Sequence, residues 1–386
     1  MITTTKKAEK ESLQAIIDEA MSNGDCFVLW RAPQQPHSHL IITSELMELD
    51  EVELHELPSG FVVAPFLPDQ KKYFARSDWH YHIKDNEVTK ESVTTREYPI
   101  ENRQAHFKPR LHKHPQPAHS SIDFVRLVNK GIETIQAGEL EKVVPSRFAD
   151  ITLAETFDAL KMYQQLCDRY PHALVSLHSS PKLGTWLGAT PELLVSVDEH
   201  MHFKTVALAG TLPYHESTNI KSVAWTQKEI EEQAMVTRYI INCFKKIRLR
   251  EYEEHGPKTV VAGNLLHLKT EYSVDMHAVN FPNLGSVMLK LLHPTSAVCG
   301  MPLQPALQFL KQNEGYDRQL YSGYLGPVNI DSNTAIYVNL RCMQLFENAA
   351  RLYAGAGVTI DSDAQSELVE TEMKMKTLLN LIQSAS

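Results

Sequence analysis

Hydrophobic positions follow two spacings along the chain, and each spacing predicts one kind of secondary structure. Short apolar runs bounded by turn residues predict strands in the first hundred residues, at 26–30, 40–43 and 61–66. Beyond residue 120, apolar residues at helical spacing predict helices over 121–137, 157–169, 226–250, 284–291, 305–313 and 364–382. Further strands are predicted at 142–148, 173–178, 184–187, 193–197 and 202–207, with a long hairpin whose arms are 334–346 and 351–353. Because strands often follow one another directly, we expect an α+β fold with antiparallel sheets.

A stretch rich in proline and histidine interrupts this pattern, and we interpret it as a connection within one large domain. Residues 1–105 would form a β-rich N-terminal portion, 106–120 the connecting segment and 121–386 the main core. The connecting segment contains His112 and His114, which could bind a metal ion. No carboxylate or cysteine cluster accompanies them in the sequence, so a solvated linker is the favoured interpretation.

Charge and composition argue against several classes of partner. Lysine and arginine number 38 against 47 acidic residues, which gives a formal net charge of −9. An acidic chain is a poor match for nucleic acid or an anionic membrane, because phosphate binding needs a basic face. Neither a membrane-spanning apolar run nor a signal-peptide pattern is present, and the five cysteines contain no CxxC pair. We therefore expect a soluble, cytoplasmic protein. No coiled coil or swapped arm is predicted from the sequence, so we also expect a monomer.

Two predicted helices each carry a pair of glutamates three residues apart. Glu229 and Glu232 lie on the helix at 226–250, and Glu367 and Glu370 lie on the final helix. Residues three apart share one helix face, and each pair lies beside an apolar stripe. Two such faces opposed would supply the oxygen ligands that Mg²⁺ prefers. Two solvated faces are the alternative, and a di-iron site is disfavoured because neither pair continues as Glu-x-x-His.

Several other residues are candidates for a polar cleft. Lys142 opens an apolar strand, and Glu192 follows a tight turn before another strand. Strand alternation places Arg341 on a face that meets either solvent, which we slightly favour, or a cleft. Gly355 and Gly357 end a strand in a turn where backbone N–H groups could hold a carboxylate. A plain turn would explain the two glycines equally well.

In their order along the chain, these segments resemble the chorismate-utilising enzymes. The first motifs are Lys-Val-Val-x-Ser-Arg at 142–147, Leu-Gly-Ala-Thr-Pro-Glu-Leu-Leu at 187–194, Ala-Leu-Ala-Gly-Thr at 207–211 and Lys-Glu-x-x-Glu at 228–232. The later motifs are Leu-His-Pro-Thr-Ser-Ala-Val-Cys-Gly at 292–300, Tyr-Ser-Gly-Tyr-Leu-Gly at 321–326, Leu-Arg-Cys at 340–342, Gly-Ala-Gly at 355–357 and Glu-x-x-Glu-Thr-x-x-Lys at 367–374. The resemblance implies one α+β domain with antiparallel sheets and helices around a central cleft, as in anthranilate synthase component I.

Two positions sort the branches of this family. Anthranilate synthases typically carry glutamine where this chain has Lys142. Aminodeoxychorismate synthases typically carry lysine before a Gly-Thr pair, where this chain has Ala209. The resemblance therefore implies a Mg²⁺-dependent isochorismate synthase, which isomerises chorismate for menaquinone or siderophore synthesis. A salicylate synthase and a non-catalytic chorismate-binding relative remain the alternatives.

The resemblance also implies roles for individual residues. Lys142 would be the base, which requires a neutral amine, and Glu192 would be an acid that stays protonated in a partly desolvated setting. Glu232 and Glu370 would bind Mg²⁺, while Glu229 and Glu367 would reach the ion through water. The implied substrate-binding residues are Thr211, His267, Tyr321, Arg341, Gly355, Ala356, Gly357 and Lys374.

Overall fold

The computed structural model describes residues 12–84, 87–89, 121–214, 219–262 and 265–384, so the connection predicted at 106–120 lies outside the described residues. The helices are α1 (Leu13–Asn23), α2 (Ser121–Gln136), α3 (Ala159–Arg169), α4 (Gln227–Lys246), α5 (Leu284–Leu292), α6 (Leu303–Asn313) and α7 (Ala364–Ser384). The strands are β1 (Cys26–Arg31), β2 (Ser38–Thr43), β3 (Met47–Leu49), β4 (Gly60–Ala64), β5 (Lys72–Arg76), β6 (Trp79–Lys84), β7 (Glu87–Thr89), β8 (Lys142–Val143), β9 (Ser146–Thr152), β10 (Leu174–Ser180), β11 (Gly184–Thr190), β12 (Leu193–Val197), β13 (His202–Pro213), β14 (Glu253–Ala262), β15 (Leu265–Asp275), β16 (Gly300–Met301), β17 (Tyr324–Val328), β18 (Thr334–Val338), β19 (Cys342–Leu345) and β20 (Ala349–Gly355).

Local sequence signals begin and end several of these helices. Ser12 caps α1 by accepting a hydrogen bond from the Ala15 amide, and Gly24 follows the helix in the left-handed conformation. Asp158 caps α3 in the same way. Gly138, at φ +79°, lies just beyond α2, where the sequence predicted that the helix would stop. Helix α1 was not predicted, although both of its end signals are present in the sequence.

The strands form two large antiparallel sheets. The first has the order β7-β6-β2-β1-β10-β11-β19-β20-β9, and the second has the order β14-β15-β13-β12-β18-β17-β4-β5-β3. Strands β8 and β16 form a small separate pair. The strands before residue 90 extend both large sheets, so the N-terminal portion and the later chain share one architecture. The predicted α+β fold with antiparallel sheets is confirmed.

The hydrophobic core is divided into three layers by these sheets. One apolar cluster lies between the first sheet and helices α1, α3 and α7. A second cluster joins the second sheet to α2, α4, α5 and α6. A third fills the space between the sheets and includes Trp30, Phe61 and Trp186. The resulting order is helices, sheet, sheet, helices. Among the described residues, each helix is too short or too polar to cross a lipid bilayer.

Two neighbouring connections cross between the first and second sheets side by side. One connects β11 to β12 at residues 191–192, and the other connects β18 to β19 at residues 339–341. They are held together by bonds from the Val338 amide to the Glu192 carbonyl and from the Ala189 amide to the Arg341 carbonyl. The prediction of one continuous arm at 334–346 is therefore wrong, because the chain changes sheets at a residue with φ +49°, Arg341.

The predicted strand at 142–148 is also divided. Lys142 and Val143 pair with β16, whereas β9 begins at Ser146 and pairs with β20. Pro145, which has no N–H group to donate to a ladder, lies at the break. The break sends Lys142 toward the end of β20 rather than along β9.

Candidate active site

The passage between the sheets brings together an acid and an arginine. Glu192 and Arg341 lie on the two side-by-side connections, and both line the same cleft. Burial raises the pKa of the Glu192 carboxyl to about 7, although the positive charges of Arg341 and Lys374 lower it. The carboxyl therefore exchanges its proton near neutral pH. The slight preference for a solvent-facing Arg341 was wrong. The alternation of side chains along a strand does not extend to Arg341, because the chain changes sheets at this residue.

His267 holds the guanidinium of Arg341 from behind. Its Nδ1–H donates to the Gly210 carbonyl at 2.7 Å, so Nε2 is left to accept from Arg341 Nη2 at 3.1 Å. Burial, followed by the charge of Arg341, lowers the pKa of His267 to about 3 and keeps the ring neutral. The Gly210 carbonyl is aimed at His267 by a bulge in β13, where the register shifts between Ala209 and Leu212.

Lys142 is fully buried and forms an ion pair with Glu232. Its Nζ lies 2.7 Å from Glu232 Oε1, and the aliphatic end of the side chain packs against Gly357. Burial alone would raise the pKa of the Glu232 carboxyl, but Lys142, Lys374 and Lys228 hold it below its ordinary value. A lysine that acts as a base must be a neutral amine. In this structure the Nζ of Lys142 is engaged by a carboxylate.

The carboxylates of α4 and α7 form a cluster. Lysines donate to some of its oxygen atoms but not to all of them. Glu370 Oε1 accepts from Lys374 at 2.7 Å, and Glu367 Oε1 accepts from Lys228 at 2.8 Å. The Oε2 atom of Glu367 is buried and has no hydrogen-bond partner among the described residues. Burial and the neighbouring Glu370 raise the pKa of Glu367. Buried oxygen beside a second carboxylate is the setting that a hard divalent cation such as Mg²⁺ fits.

Glu229 is placed apart from this cluster. Its Oε2 accepts hydrogen bonds from the backbone amide and the hydroxyl of Thr226, and the two residues form a capping box at the start of α4. The carboxylate that the sequence assigned to a water-mediated metal contact is therefore engaged in capping the helix. The Thr-x-x-Glu pattern that predicts such a cap is present in the sequence.

The far wall of the cleft is formed by aromatic and small residues. Tyr321 stacks on Tyr353 with ring centroids 5.2 Å apart, and a Cβ on Gly355 would lie 3.3 Å from the Tyr321 hydroxyl. Lys374 donates to the Gly355 carbonyl at 2.9 Å. Ala356 is buried in the core, and its amide donates to the Pro145 carbonyl, so it does not face the cleft.

The cleft brings most of the predicted residues together. Those on its lining are Glu192, Thr211, Glu232, His267, Tyr321, Arg341, Gly355, Gly357, Glu370 and Lys374. Lys142 and Glu367 lie directly behind this lining, through their ion pairs. Lys228 was not assigned a role from the sequence, yet it pairs with Glu367. Its place in Lys-Glu-x-x-Glu, one turn before Glu232, is the signal that could have identified it.

The sequence is similar to those of several known proteins. The family model for chorismate binding enzymes matches residues 70–383. Isochorismate synthase EntC of Escherichia coli K12 is 29% identical over 266 residues, which cover 67% of this chain and 66% of EntC. Isochorismate synthase DhbC of Bacillus subtilis is 29% identical over 281 residues, 69% of each chain. This chain therefore spans about two thirds of the length of the curated relatives it matches.

Solved structures match over nearly the whole chain. The protein described as the 2,3-dihydroxybenzoate-specific isochorismate synthase DhbC of Bacillus anthracis has a TM-score of 0.74 and 25% identity, covering 96% of this chain and 99% of that chain. MenF, the menaquinone-specific isochorismate synthase of Escherichia coli, has a TM-score of 0.74 at 20% identity, covering 97% of this chain and 92% of its own. At 20% identity, the likeness to MenF shows a shared fold alone.

Proposed function

The chain belongs to the chorismate binding enzyme family, and from this premise we propose that it is an isochorismate synthase. The observation that carries the proposal is that one cleft is lined by Glu192, an acid with a pKa of about 7, and backed by Lys142, a buried lysine. Lys142 and Ala209 are the residues that separate this branch from the anthranilate and aminodeoxychorismate synthases. Relatives named isochorismate synthase support the same choice.

The reaction would use Lys142 and Glu192 in sequence. Lys142, as the neutral amine, takes a proton from water while the water oxygen forms a bond to C2 of chorismate. The ring double bonds shift, the C4–oxygen bond breaks, and Glu192 gives its proton to the departing hydroxyl, which leaves as water. One water is consumed and one is released, so the overall change is an isomerisation. The contact between Lys142 Nζ and Glu232 must open before the amine can reach the water.

Positive charge at one end of the cleft would hold the dianionic substrate. Arg341 presents a guanidinium fork that matches a carboxylate in two hydrogen bonds, and His267 fixes its direction. Tyr321 adds a hydroxyl on the same side, with its pKa raised to about 12 by burial, so it remains a hydrogen-bond donor. Thr211 and Gly355 complete the wall. These groups explain how an acidic protein could attract an anion locally.

A divalent cation completes the proposed site. Glu232, Glu367 and Glu370 would hold Mg²⁺, supported by the unpartnered buried oxygen of Glu367. When bound, the ion would supply positive charge for a substrate carboxylate and neutralise the carboxylate cluster. Lys374, with its pKa raised by Glu370 and Glu232 despite burial, would remain a cation beside it.

The cellular setting is also part of the proposal. We place the enzyme in the cytoplasm as a monomer, in keeping with its acidic, ordinary globular composition. A vibriobactin-specific isochorismate synthase of Vibrio cholerae is 29% identical over 246 residues, and a menaquinone-specific one shares the fold. We therefore propose that the product feeds menaquinone or siderophore synthesis.

Product analysis tests the activity. Purified protein is incubated with chorismate and Mg²⁺, with and without a chelator, and the products are separated by chromatography. Isochorismate in equilibrium with chorismate, without pyruvate, supports the proposal. Salicylate with pyruvate would identify a salicylate synthase instead. Absence of turnover together with calorimetric binding of chorismate would identify a non-catalytic relative.

A variant of the proposed base sharpens this test. Lys142→Gln keeps a hydrogen-bond donor beside Glu232 but removes the amine, so we expect turnover to fall by at least 100-fold, within the range of general base catalysis. Circular dichroism shows whether the fold persists. Near-normal turnover by the folded variant would refute the assignment of the base.

A further inference from the structure

Four histidines lie on one face at the outer part of the first sheet, away from the cleft residues. His37 immediately precedes β2 and His39 lies within it, while His80 and His82 lie on the adjacent strand β6. His39 is directly opposite His82 in the ladder. Residues two apart on a strand share a face, so all four imidazoles occur together.

The nitrogen atoms of these rings converge. One ring nitrogen from each of His37, His39 and His82 lies within 4.8 Å of the other two. The ring centroids of His39 and His82 are 4.6 Å apart. His39 Nδ1 also lies 3.0 Å from His80 Nε2, within hydrogen-bond distance. Three ligand atoms and one orienting partner are therefore already assembled on two strands.

Packing explains only part of this cluster. His39 is buried and stacks on Trp30 with ring centroids 5.0 Å apart and an angle of 9° between the planes. His80 is also buried. His37 and His82, in contrast, are only half-buried, and an aromatic stack does not require their nitrogen atoms to converge.

We propose that His37, His39 and His82 bind a divalent transition-metal ion, with Zn²⁺ as the cellular ion. Neutral imidazole is a preferred ligand of zinc and a poor ligand of Mg²⁺, so this site is chemically distinct from the glutamate cluster. Zinc–nitrogen bonds are roughly 2.0–2.1 Å long, and the three nitrogens, within 4.8 Å of one another, lie near enough to share one ion.

His80 has a separate part in this site. With the Nδ1–H of His39 donating to Nε2 of His80, the His39 ring is held in orientation and its Nε2 lone pair is left for the metal, as ligating histidines commonly require. Three protein ligands leave one tetrahedral position for water. A bound ion would join β2 to β6 and stabilise the outer part of the first sheet.

Zinc titration of the full chain tests this proposal. The protein is freed of any affinity tag, stripped with chelator and kept in excess Mg²⁺ to occupy the glutamate cluster. Zinc affinity is measured by competition with a chromophoric chelator, and Co²⁺ is added separately to record the visible absorption of a tetrahedral site. We expect one zinc ion per chain and a melting temperature that rises with zinc.

Variants locate the ion. His37→Gln changes a half-buried residue and should weaken zinc binding at least about tenfold without unfolding the chain. The matched control is His112→Gln/His114→Gln, in the histidine-rich segment, which should leave zinc affinity unchanged. Absence of stoichiometric binding, equal affinity in His37→Gln and wild type, or loss of binding in the control would each overturn the proposal.

Discussion

Nζ of Lys142 lies 2.7 Å from Oε1 of Glu232, and Gly357 leaves no free space beside this pair. A Cβ atom at position 357 would lie 2.7 Å from the same oxygen and 3.1 Å from Cε of Lys142. Real Cβ atoms do not approach a neighbour so closely, so the ion pair has to shift when any side chain is added. A side chain at position 357 would therefore displace the ends of Lys142 and Glu232, and the glycine lets the pair keep its place.

Gly357→Ala is the resulting prediction. We expect kcat/KM to fall about 100-fold, because displacing a reacting group by about 1 Å costs a factor of this order. Circular dichroism should show a folded protein. Gly138→Asn is a suitable control, since Gly138 has open space around it and a left-handed backbone that asparagine tolerates. Equal kcat/KM for Gly357→Ala and wild type would contradict the proposed tight packing.

Glu370→Gln should abolish the response of activity to Mg²⁺. The substitution removes one charge from the carboxylate cluster and weakens the oxygen set proposed to hold the ion. We expect calorimetric Mg²⁺ affinity to drop at least about tenfold, together with turnover. Glu372→Gln, on the exposed side of the same helix, is the matched control and should behave as wild type. Wild-type Mg²⁺ affinity in Glu370→Gln would remove this residue from the site.

Glu192 predicts a descending limb in the pH profile of kcat/KM. Its pKa is raised to about 7, so the carboxyl is protonated below pH 7 and loses its proton as the pH rises through 7. An acid must be protonated to act, so the rate should fall above pH 7. In Glu192→Gln the residual rate should be low and this limb should vanish. A limb that persists in the variant would assign the titration to another group.

The sequence predicts the secondary structure well where the signals are local. The strand at 193–197 matches β12, and the final helix matches α7 to within a few residues, because periodicity and turn residues encode such elements directly. The passage of the chain between sheets at Arg341 is different. Alternation describes a continuous strand, and nothing local shows that residues 334–338 and 342–345 belong to separate sheets.

In the candidate site, too, some contacts follow from local sequence spacing and others do not. Glu370 and Lys374 could be placed together because helical spacing brings residues four apart into contact, and the structure has them 2.7 Å apart. The partner of Lys142 could not be predicted, because Glu232 is distant in sequence and meets it only in the folded chain. Glu229 shows the opposite case. The Thr-x-x-Glu pattern that predicts a helix cap is present in the sequence, but the metal-site hypothesis gave the same carboxylate another role.

Arg341→Lys should mainly raise KM. Lysine keeps the charge but lacks the fork that can bind a carboxylate in two hydrogen bonds. We expect KM for chorismate to rise at least about tenfold while kcat changes less. His267→Phe should change KM in the same direction by a smaller factor, because it removes the acceptor for Arg341 Nη2 and leaves the charge. A fall in kcat at constant KM in both variants would argue for a role in the chemical step.

Glu314 and Arg318 form a buried ion pair that supports the segment after Lys142. Arg318 donates to both oxygens of Glu314 at 2.7 Å and to the Val144 carbonyl at 2.7 Å. Glu314 Oε1 also accepts from the amide of Ser146 at 2.6 Å. The pair therefore satisfies backbone groups on both sides of Pro145, where the interrupted strand cannot satisfy them through a continuous ladder.

Glu314→Ala should reduce the free energy of unfolding by about 3–5 kcal/mol, because it leaves a buried guanidinium without its counter-ion. Urea denaturation followed by circular dichroism measures the change. The control is Asp69→Ala, which removes an exposed ion pair with Lys311 and should cost less than about 1 kcal/mol. A Glu314→Ala loss no larger than that of the control would mean that water or other groups replace the carboxylate, and that the segment after Lys142 is held by its remaining backbone contacts.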